Sequence, residues 1–471
     1  MSLTPLADDA LAIWRAGVAA VESQSLVQRQ IRVEDGRLKV AGIDWPLTPA
    51  TRLLVVGAGK AGAGMAAGVE AAVAGTPFAS RLSGWVNVPE DCVRALPHIH
   101  LHPARPAGVN EPTEAGIVGT EAILKIVQGA RPCDLVLVLL SGGGSALMPA
   151  PVSGLTLADK QSLTRLLSRR GATIQQLNAV RSQLSRVKGG GLARAAAGAG
   201  HVATLIISDV IGDPLDVIAS GPNCPTRSSP EKALSVLAQF DPDRTLLPVA
   251  IYAVLERRRS FGTAADHDGS FKCPVTQHLL GTNRVSCLAA AEEAARRGYR
   301  VVEIEQDRQG EARVEGIRLA ERAIALQAEA RATGESLCLV SGGEPVVALP
   351  TDRVAGKGGR NQQLALAALA HWWTKPITGV VLLSAGTDGE DGPTTAAGGL
   401  VDASVLATAQ GLGEHPDEAL ATCDAFPYLE RVGGLVVTGP THTNVMDLRI
   451  LLARPGNSPD TVTGPRSDVT R

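Results

Sequence analysis

Short apolar runs that end in glycine recur along the chain. LLVV at 53–56 runs into GAGKAGAG, LVLVLL at 135–140 into SGGGSA, TLII at 204–207 into SDVIGDP, and VVLLS at 380–384 into GTDGEDG. Runs of this length, bounded by turn residues, predict buried parallel strands. LSGWVNV at 82–88, HLLGTN at 278–283, YRVVEIE at 299–305 and SLCLVSGGE at 336–344 read as further strands, and GLVVTGPTHTNVMDLRILL at 434–452 closes the pattern. Helical spacing fills the intervals. Leu11, Ile13, Trp14, Val18 and Val21 predict one amphipathic helix over 6–29, and MAAGVEAAVA continues as a helix from the first glycine turn. Glu111, Pro112 and Thr113 open a helix to 128. Further helices are expected over 156–169, 173–197 (broken at Gly189–Gly191), 231–258, 285–298, 313–333 and 363–372.

Strands alternating with helices through short glycine turns predict an α/β fold with a doubly wound parallel sheet. The stretch 212–230 is rich in Pro, Gly and Ser and reads as a crossover. The expected organisation is an N-terminal α/β domain over 1–240, a second α/β domain over 241–455, and a disordered tail over 456–471 that lacks apolar residues.

In such a sheet ligands bind at the carboxyl ends of the strands, where glycines let backbone amides approach an anion. The strand-end loops supply distinct chemistry. Gly57, Gly59 and Lys60 offer a turn with a cation. Ser141, Gly142, Gly143, Gly144 and Ser145 offer a nest of amides flanked by hydroxyls. Asp209 and Asp213 stand on one loop and Asp388 and Asp391 on another, as carboxylates able to hold Mg²⁺ or simply to form turns. Lys357, Arg360 and Asn361 mark a helix start where an arginine can bind phosphate in two-pronged fashion. Glu344, Thr443, Asn444 and Asp447 are further strand-end candidates.

GAGKAG at 57–62 also matches G-x-G-x-x-G after a strand, which raises a nicotinamide nucleotide site. The next strand, however, ends in Asn87 rather than an acid for the ribose, and Lys60 sits inside the pyrophosphate turn, where it suits a transferring phosphoryl group better. No P-loop occurs; AGKGGR at 355–360 lacks its spacing and hydroxyl. A nucleophilic serine would need a histidine base, for which His102 and His201 are the candidates, but the G-x-S-x-G elbow is absent.

Composition narrows the classes. Forty-five basic against 47 acidic residues give a net charge of −2, and only 13 residues are aromatic, so neither a basic field nor a stacking surface for nucleic acid is present. The 51 glycines exceed the roughly 7% usual in proteins, in keeping with the loops above. No apolar run approaches the ~18 residues of a membrane span. Asp8 and Asp9 interrupt any signal-peptide core, and seven scattered cysteines without a CxxC suit reduced thiols, so a cytoplasmic protein is expected, without zinc or membrane partners.

Taken together and in order, VVGAGKAGAGM, HPARPAGVNEPTEAG, LLSGGGSALMPAP, NAVRSQLSRVKGGGLA, ISDVIGDPLDVIASGP, SGGEP, GKGGRNQQLAL, SAGTDGEDGPTTAAGG and TGPTHTNVMDL resemble the class II glycerate 2-kinases, whose relatives are often labelled hydroxypyruvate reductases. The resemblance spans about residues 10–452 and includes that family's leucine-rich C-terminal module. It implies a Rossmann-like N-terminal domain, a cleft between two α/β domains, and Mg²⁺- and ATP-dependent phosphorylation of D-glycerate to 2-phospho-D-glycerate by a monomer or homodimer. Lys60 and Arg360 match the family's proposed catalytic cations. Asp209 and Asp388 become candidates for Mg²⁺ binding or for orienting the 2-hydroxyl, and the Ser141–Ser145 loop for the carboxylate or a nucleotide phosphate. An NAD(P)H-dependent hydroxypyruvate reductase is the alternative. Asn223-Cys224-Pro225-Thr226 departs from an expected Thr-Val-Pro-Asp, and His442 and Met446 stand where the family has glycine and asparagine, which bears on local substrate contacts.

Overall fold

A computed structural model describes residues 4–109, 111–225, 228–261, 270–350 and 354–456. Thr226 and nearly all of the tail expected to be disordered lie outside them. The chain forms two compact units: Met1–Val21, Asn283–Thr441 and Val445–Arg471 make one, and Glu22–Thr282 with His442–Asn444 the other. The domains are therefore not successive halves of the sequence. The boundary falls about forty residues beyond the expected 240, and the first helix belongs with the C-terminal part.

That first helix, α1 (Pro5–Ala20), is capped by the Thr4 hydroxyl. It buries Ile13 and Trp14 against Val340, Leu383 and Ile450. The single helix expected over 6–29 breaks at Glu22. That residue is extended (ψ 121°), and its carboxylate accepts from the amides of Gln24 and Ser25, starting α2 (Ser23–Gln28). A polar cap that pairs two orphan helix amides ends one helix and begins the next at the point where the chain changes unit.

The unit containing Glu22–Thr282 begins with an unforeseen antiparallel meander, β1 (Ile31–Glu34), β2 (Arg37–Val40) and β3 (Ile43–Pro46). Its first turn, Asp35-Gly36, has φ of 51° and 68°, the left-handed pair that a two-residue hairpin requires. The main sheet follows: β4 (Leu53–Ala58), α3 (Gly62–Val73), β5 (Leu82–Pro89), β6 (Ile99–Arg105), α4 (Glu114–Gln128), β7 (Leu135–Leu140), α5 (Gly144–Leu147), α6 (Leu157–Arg169), α7 (Ile174–Gln183), α8 (Gly191–Ala195), β8 (His201–Ile207), α9 (Pro230–Phe240), α10 (Val249–Phe261) and β9 (Val275–Gly281). All six strands are parallel, in the order β6-β5-β4-β7-β8-β9. This is the doubly wound order of a Rossmann-like sheet, with its switch point between β4 and β7. The helix expected over 173–197 is cut to α7 and the short α8. That expected over 231–258 is split where buried Asp241 accepts from the amides of Thr245, Leu246 and Leu247.

The other unit holds α11 (Asn283–Arg296), β10 (Arg300–Arg308), α12 (Ala312–Thr333), β11 (Leu337–Gly343), α13 (Arg360–Trp372), β12 (Val380–Gly386), β13 (Gly398–Asp402), α14 (Ala403–Leu412), α15 (Asp417–Ala421), α16 (Ala425–Val432), β14 (Leu435–Val436) and β15 (Asp447–Ala453). Its sheet is mixed, β10-β11-β15-β12-β13-β14. Only β10 and β11 run parallel; β15 inserts antiparallel to both β11 and β12. The strand expected near 435 is reduced to two residues, and the closing strand is DLRILLA alone.

Candidate functional site

At the switch point of the Rossmann-like sheet the first glycine turn is a packing device. A side chain at Gly57 would overlap the Leu139 carbonyl, and one at Gly59 the Ser141 hydroxyl. The amides of the turn are consumed within the protein: Gly59 donates to Asn87 O (3.2 Å), Lys60 to Gly142 O (2.9 Å), Ala61 to Ser141 Oγ (3.0 Å) and Gly62 to Gly59 O (3.1 Å). The amide cradle expected at Gly57 and Gly59 is therefore filled by the loop after β7. Asn87 is equally committed, accepting from Trp85 Nε1 and donating to Leu147 O. What the turn presents outward is Lys60, half-buried, whose stem lies near Gly143.

The loop after β7 is different. Gly143 has a left-handed φ of 76°, a conformation glycine adopts without strain. The amides of Gly142 and Gly143 have no acceptor among the described residues. A side chain at Gly142 would overlap Asp209 Oδ2 and Asn444 Nδ2, and one at Gly144 would press on Ala58 O. Asn444 donates to Asp209 (3.0 Å), which fixes that carboxylate beside the loop at the end of β8. Lys60, two open amides, Asp209 and Asn444 thus meet at the carboxyl ends of β4, β7 and β8. Ser141 is buried and serves the β4 turn. Ser145 points elsewhere, accepting from Arg181 Nη2 (2.8 Å) and from Lys188. Asp213 sits on the loop beyond with a left-handed φ of 52°, a turn residue.

In the mixed-sheet unit Arg360 starts α13 and makes a two-pronged bond to Asp447 (2.8 and 2.9 Å), with a third contact to Glu344 (2.9 Å). Burial alone would lower the guanidinium, but the Asp447 charge outweighs it, and Arg360 is held above its ordinary value. Asp391 is buried and caps α13, accepting from the amides of Asn361 (3.1 Å) and Gln362 (2.8 Å); burial and then the nearby Asp447 push its carboxyl up to about 7. Asn361, expected as a ligand contact, is buried between Ser384 Oγ (2.6 Å) and Asp391 (3.3 Å), so both ends of its amide serve the fold. Asp388 is half-buried and folds back on the Glu390 amide (3.0 Å). The Lys357 ammonium lies over the Phe426 ring, 4.6 Å from its centre. Among the described residues no three His, Cys, Asp or Glu side chains gather as a metal cage, and no helix is long and apolar enough to cross a membrane.

Sequence reasoning passed over the partners of Ser145, which are Arg181, Lys188 and Ser220, with Lys160 close by. A signal existed: residues 157–197 contain eight basic side chains and one acidic one, Asp159.

Residues 9–256 match a family model described as a domain of unknown function (DUF4147), and 337–447 match the MOFRL family. The glycerate kinase of Mus musculus is 35% identical, over 96% of this chain and 94% of that protein. The D-glycerate 2-kinase of Thermotoga maritima is 40% identical, over 73% and 78%. A putative hydroxypyruvate reductase of Agrobacterium vitis is 35% identical, over 86% and 88%. The crystal structure of the T. maritima glycerate kinase superposes with a TM-score of 0.77 at 33% identity, covering 95% of this chain and 99% of that one. With both family models matched in order and these relatives aligned along most of its length, the chain belongs to the class II glycerate kinase family.

Proposed function

We propose that the protein is a glycerate 2-kinase, which transfers the γ-phosphoryl group of ATP to the 2-hydroxyl of D-glycerate and releases 2-phospho-D-glycerate and ADP. The observation that carries this reading is the meeting of Lys60, the Gly142 and Gly143 amides, and the Asn444-held carboxylate of Asp209 at the switch point. Phosphoryl transfer demands positioning and charge neutralisation more than covalent chemistry. Lys60 would neutralise charge on the transferring group, and Arg360, oriented by Asp447, is a second cation proposed for phosphoryl chemistry. Mg²⁺ in such reactions is held by one or two carboxylates while phosphate oxygens and water complete its shell, and it offsets phosphate charge. Asp209, fixed by Asn444, is proposed as one such carboxylate, and Asp388 remains a separate candidate. A cytoplasmic location agrees with cysteines that form no disulfide among the described residues.

The reductase reading loses support from the same geometry. The turn that would cradle a dinucleotide has its amides paired, and the β5 end offers a committed amide, Asn87, in place of a ribose-binding acid. Phosphorus NMR of the protein with D-glycerate, ATP and Mg²⁺ tests the proposal: 2-phosphoglycerate should grow with ADP. A 3-phosphoglycerate product would overturn the regiochemistry, and no transfer at all would sink the kinase.

A further inference from the structure

Behind the loop after β7, three cations lie together without an acid. Lys188 is 2% exposed and donates to the Ser145 carbonyl (3.2 Å), to Ser145 Oγ and to Ser220 Oγ (3.2 Å). Arg181 donates to Ser145 Oγ, and Ser220 Oγ donates to Asn178 Oδ1 (3.2 Å). Lys160 is 7% exposed, and its Nζ has no hydrogen-bond partner among the described residues. Among the described residues no carboxylate comes within ion-pair distance of any of the three. Burial pushes all of them below their ordinary values: Lys160, with the added charge of Arg181, to about 7, and Lys188 well down, with the charges of Arg181 and Lys160 adding to the effect. Buried charge is ordinarily paired. Three cations gathered around two hydroxyls are a cost that the fold alone does not explain.

The group adjoins a cavity of about 270 Å³ whose wall includes Gly143, Ser145, Gln161, Arg165, Arg181 and Glu111. Gly143 is the residue beside the Lys60 stem, so the cavity opens off the candidate site within the same unit. We propose that this cavity is an oxyanion-binding subsite in which Arg181 and Ser145 receive a carboxylate or phosphate group of the ligand, with Lys160 and Lys188 supplying the positive field behind them. The inference rests on the kinase reading only for the identity of the ligands, D-glycerate or the nucleotide. Arg181 is the contacting group, because of the three cations it alone lines the cavity among the described residues. Lys188 has its three donors occupied and positions Ser145.

Calorimetric titration of the full chain with sulfate, D-glycerate and a non-hydrolysable ATP analogue tests it, for wild type, Arg181→Gln and Lys160→Met. Wild type should bind sulfate. Arg181→Gln should weaken sulfate and one of the two natural ligands by about 10- to 100-fold, the range for losing a charged hydrogen bond, and Lys160→Met should weaken the same ligands by a smaller factor, because it removes only background charge. Weakened D-glycerate assigns the carboxylate, and weakened analogue assigns the phosphates. Should Arg181→Gln fail to fold, Lys160→Met decides, because it deletes a charge that has no partner. Wild-type affinity for all three ligands in a folded Lys160→Met protein overturns the subsite. If the variants lose sulfate but wild type makes no phosphoglycerate, the subsite stands and the kinase reading falls. If turnover is present and every affinity is unchanged, the reverse holds.

Discussion

Two groups of buried cations, one in each unit, are handled in opposite ways. In the mixed sheet Arg449 is fully buried, yet Asp447 lies 3.7 Å away and Glu315 4.0 Å, and Asp447 also holds Arg360. Burial would raise Glu315, but hydrogen bonds from Arg318 and Arg308 hold it down at about 2. In the Rossmann-like unit Arg181 and Lys188 bond to hydroxyls and a carbonyl, and Lys160 to nothing, among the described residues. A fully buried charge whose counterion is built into the fold, as at Arg449, is structural, whereas Arg360 keeps a partly exposed guanidinium. A buried charge whose counterion is missing from the described residues is a place for a ligand to bring it. The same residue types thus take opposite roles, and the presence of a carboxylate decides which.

The largest effect that would break this contrast is at Asp447. Asp447→Asn keeps the shape but strips the counterion from Arg449 and from the Arg360 fork. Breaking a buried pair in this way should cost about 3–5 kcal/mol, read as a fall in the urea midpoint. A midpoint equal to wild type would mean that the mixed-sheet network is not structural. Next comes Lys60, which stands between the two cases: half-buried, in a turn whose own amides are all spent. Lys60→Ala should lower kcat by about 10²–10³ with little change in the KM for D-glycerate, as for loss of one transition-state donor. A folded variant with full turnover removes Lys60 from the chemistry.

The third effect is on pH. The free protein holds Lys160 near 7, facing Arg181 and Lys188 across the group and Arg165 and Glu111 around the cavity. An anion in the cavity raises that value, so binding takes up a proton whenever Lys160 starts neutral. Sulfate itself does not titrate in this range. Its affinity should stay flat below about pH 7 and fall by up to about tenfold per unit above it. Titrations at pH 6 and 8 that give one affinity would remove Lys160 from the field.

How much of this was legible depended on range along the chain. Five of the six strands of the parallel sheet, all but β6, follow from apolar runs, and the switch-point residues follow with them. β6 was passed over because Pro103 breaks the run, yet proline is tolerated there because β6 is an edge strand. The meander at 31–46 carried its own signal in VEDGRL, an Asp-Gly pair between alternating residues. The direction of β15 was not readable, since antiparallel insertion between β11 and β12 is a long-range choice. Nor were the partners of Ser145, which lie 36, 43 and 75 residues away. The departures at His442 and Met446 carry a different meaning from the expected one. Both residues have left-handed φ, 58° and 69°, which is why glycine and asparagine suit those positions. At least part of what they change is backbone strain. Asn223 and Cys224 are packed inside, on Thr204 Oγ1 and Gln277.

The smallest expected effect sharpens the contrast most, because its sign is reversed. Lys160 has a folded value near 7 against an ordinary 10.5, so between those limits the unfolded chain binds more protons than the folded one. Wild-type stability should therefore rise as pH climbs from 7 toward 10.5, and the cost of burying the charge is fully present below 7. Lys160→Met removes that cost while filling the same space. At pH 6 the variant should be more stable than wild type by about 1 kcal/mol, as when buried charge gives way to apolar volume, and the gain should shrink toward pH 10. The same protein should bind sulfate worse. A substitution that strengthens the fold while weakening a ligand is the signature of a residue kept for binding. If Lys160→Met instead lost stability at pH 6, the lysine would belong with Arg449, and the two groups of cations would be alike.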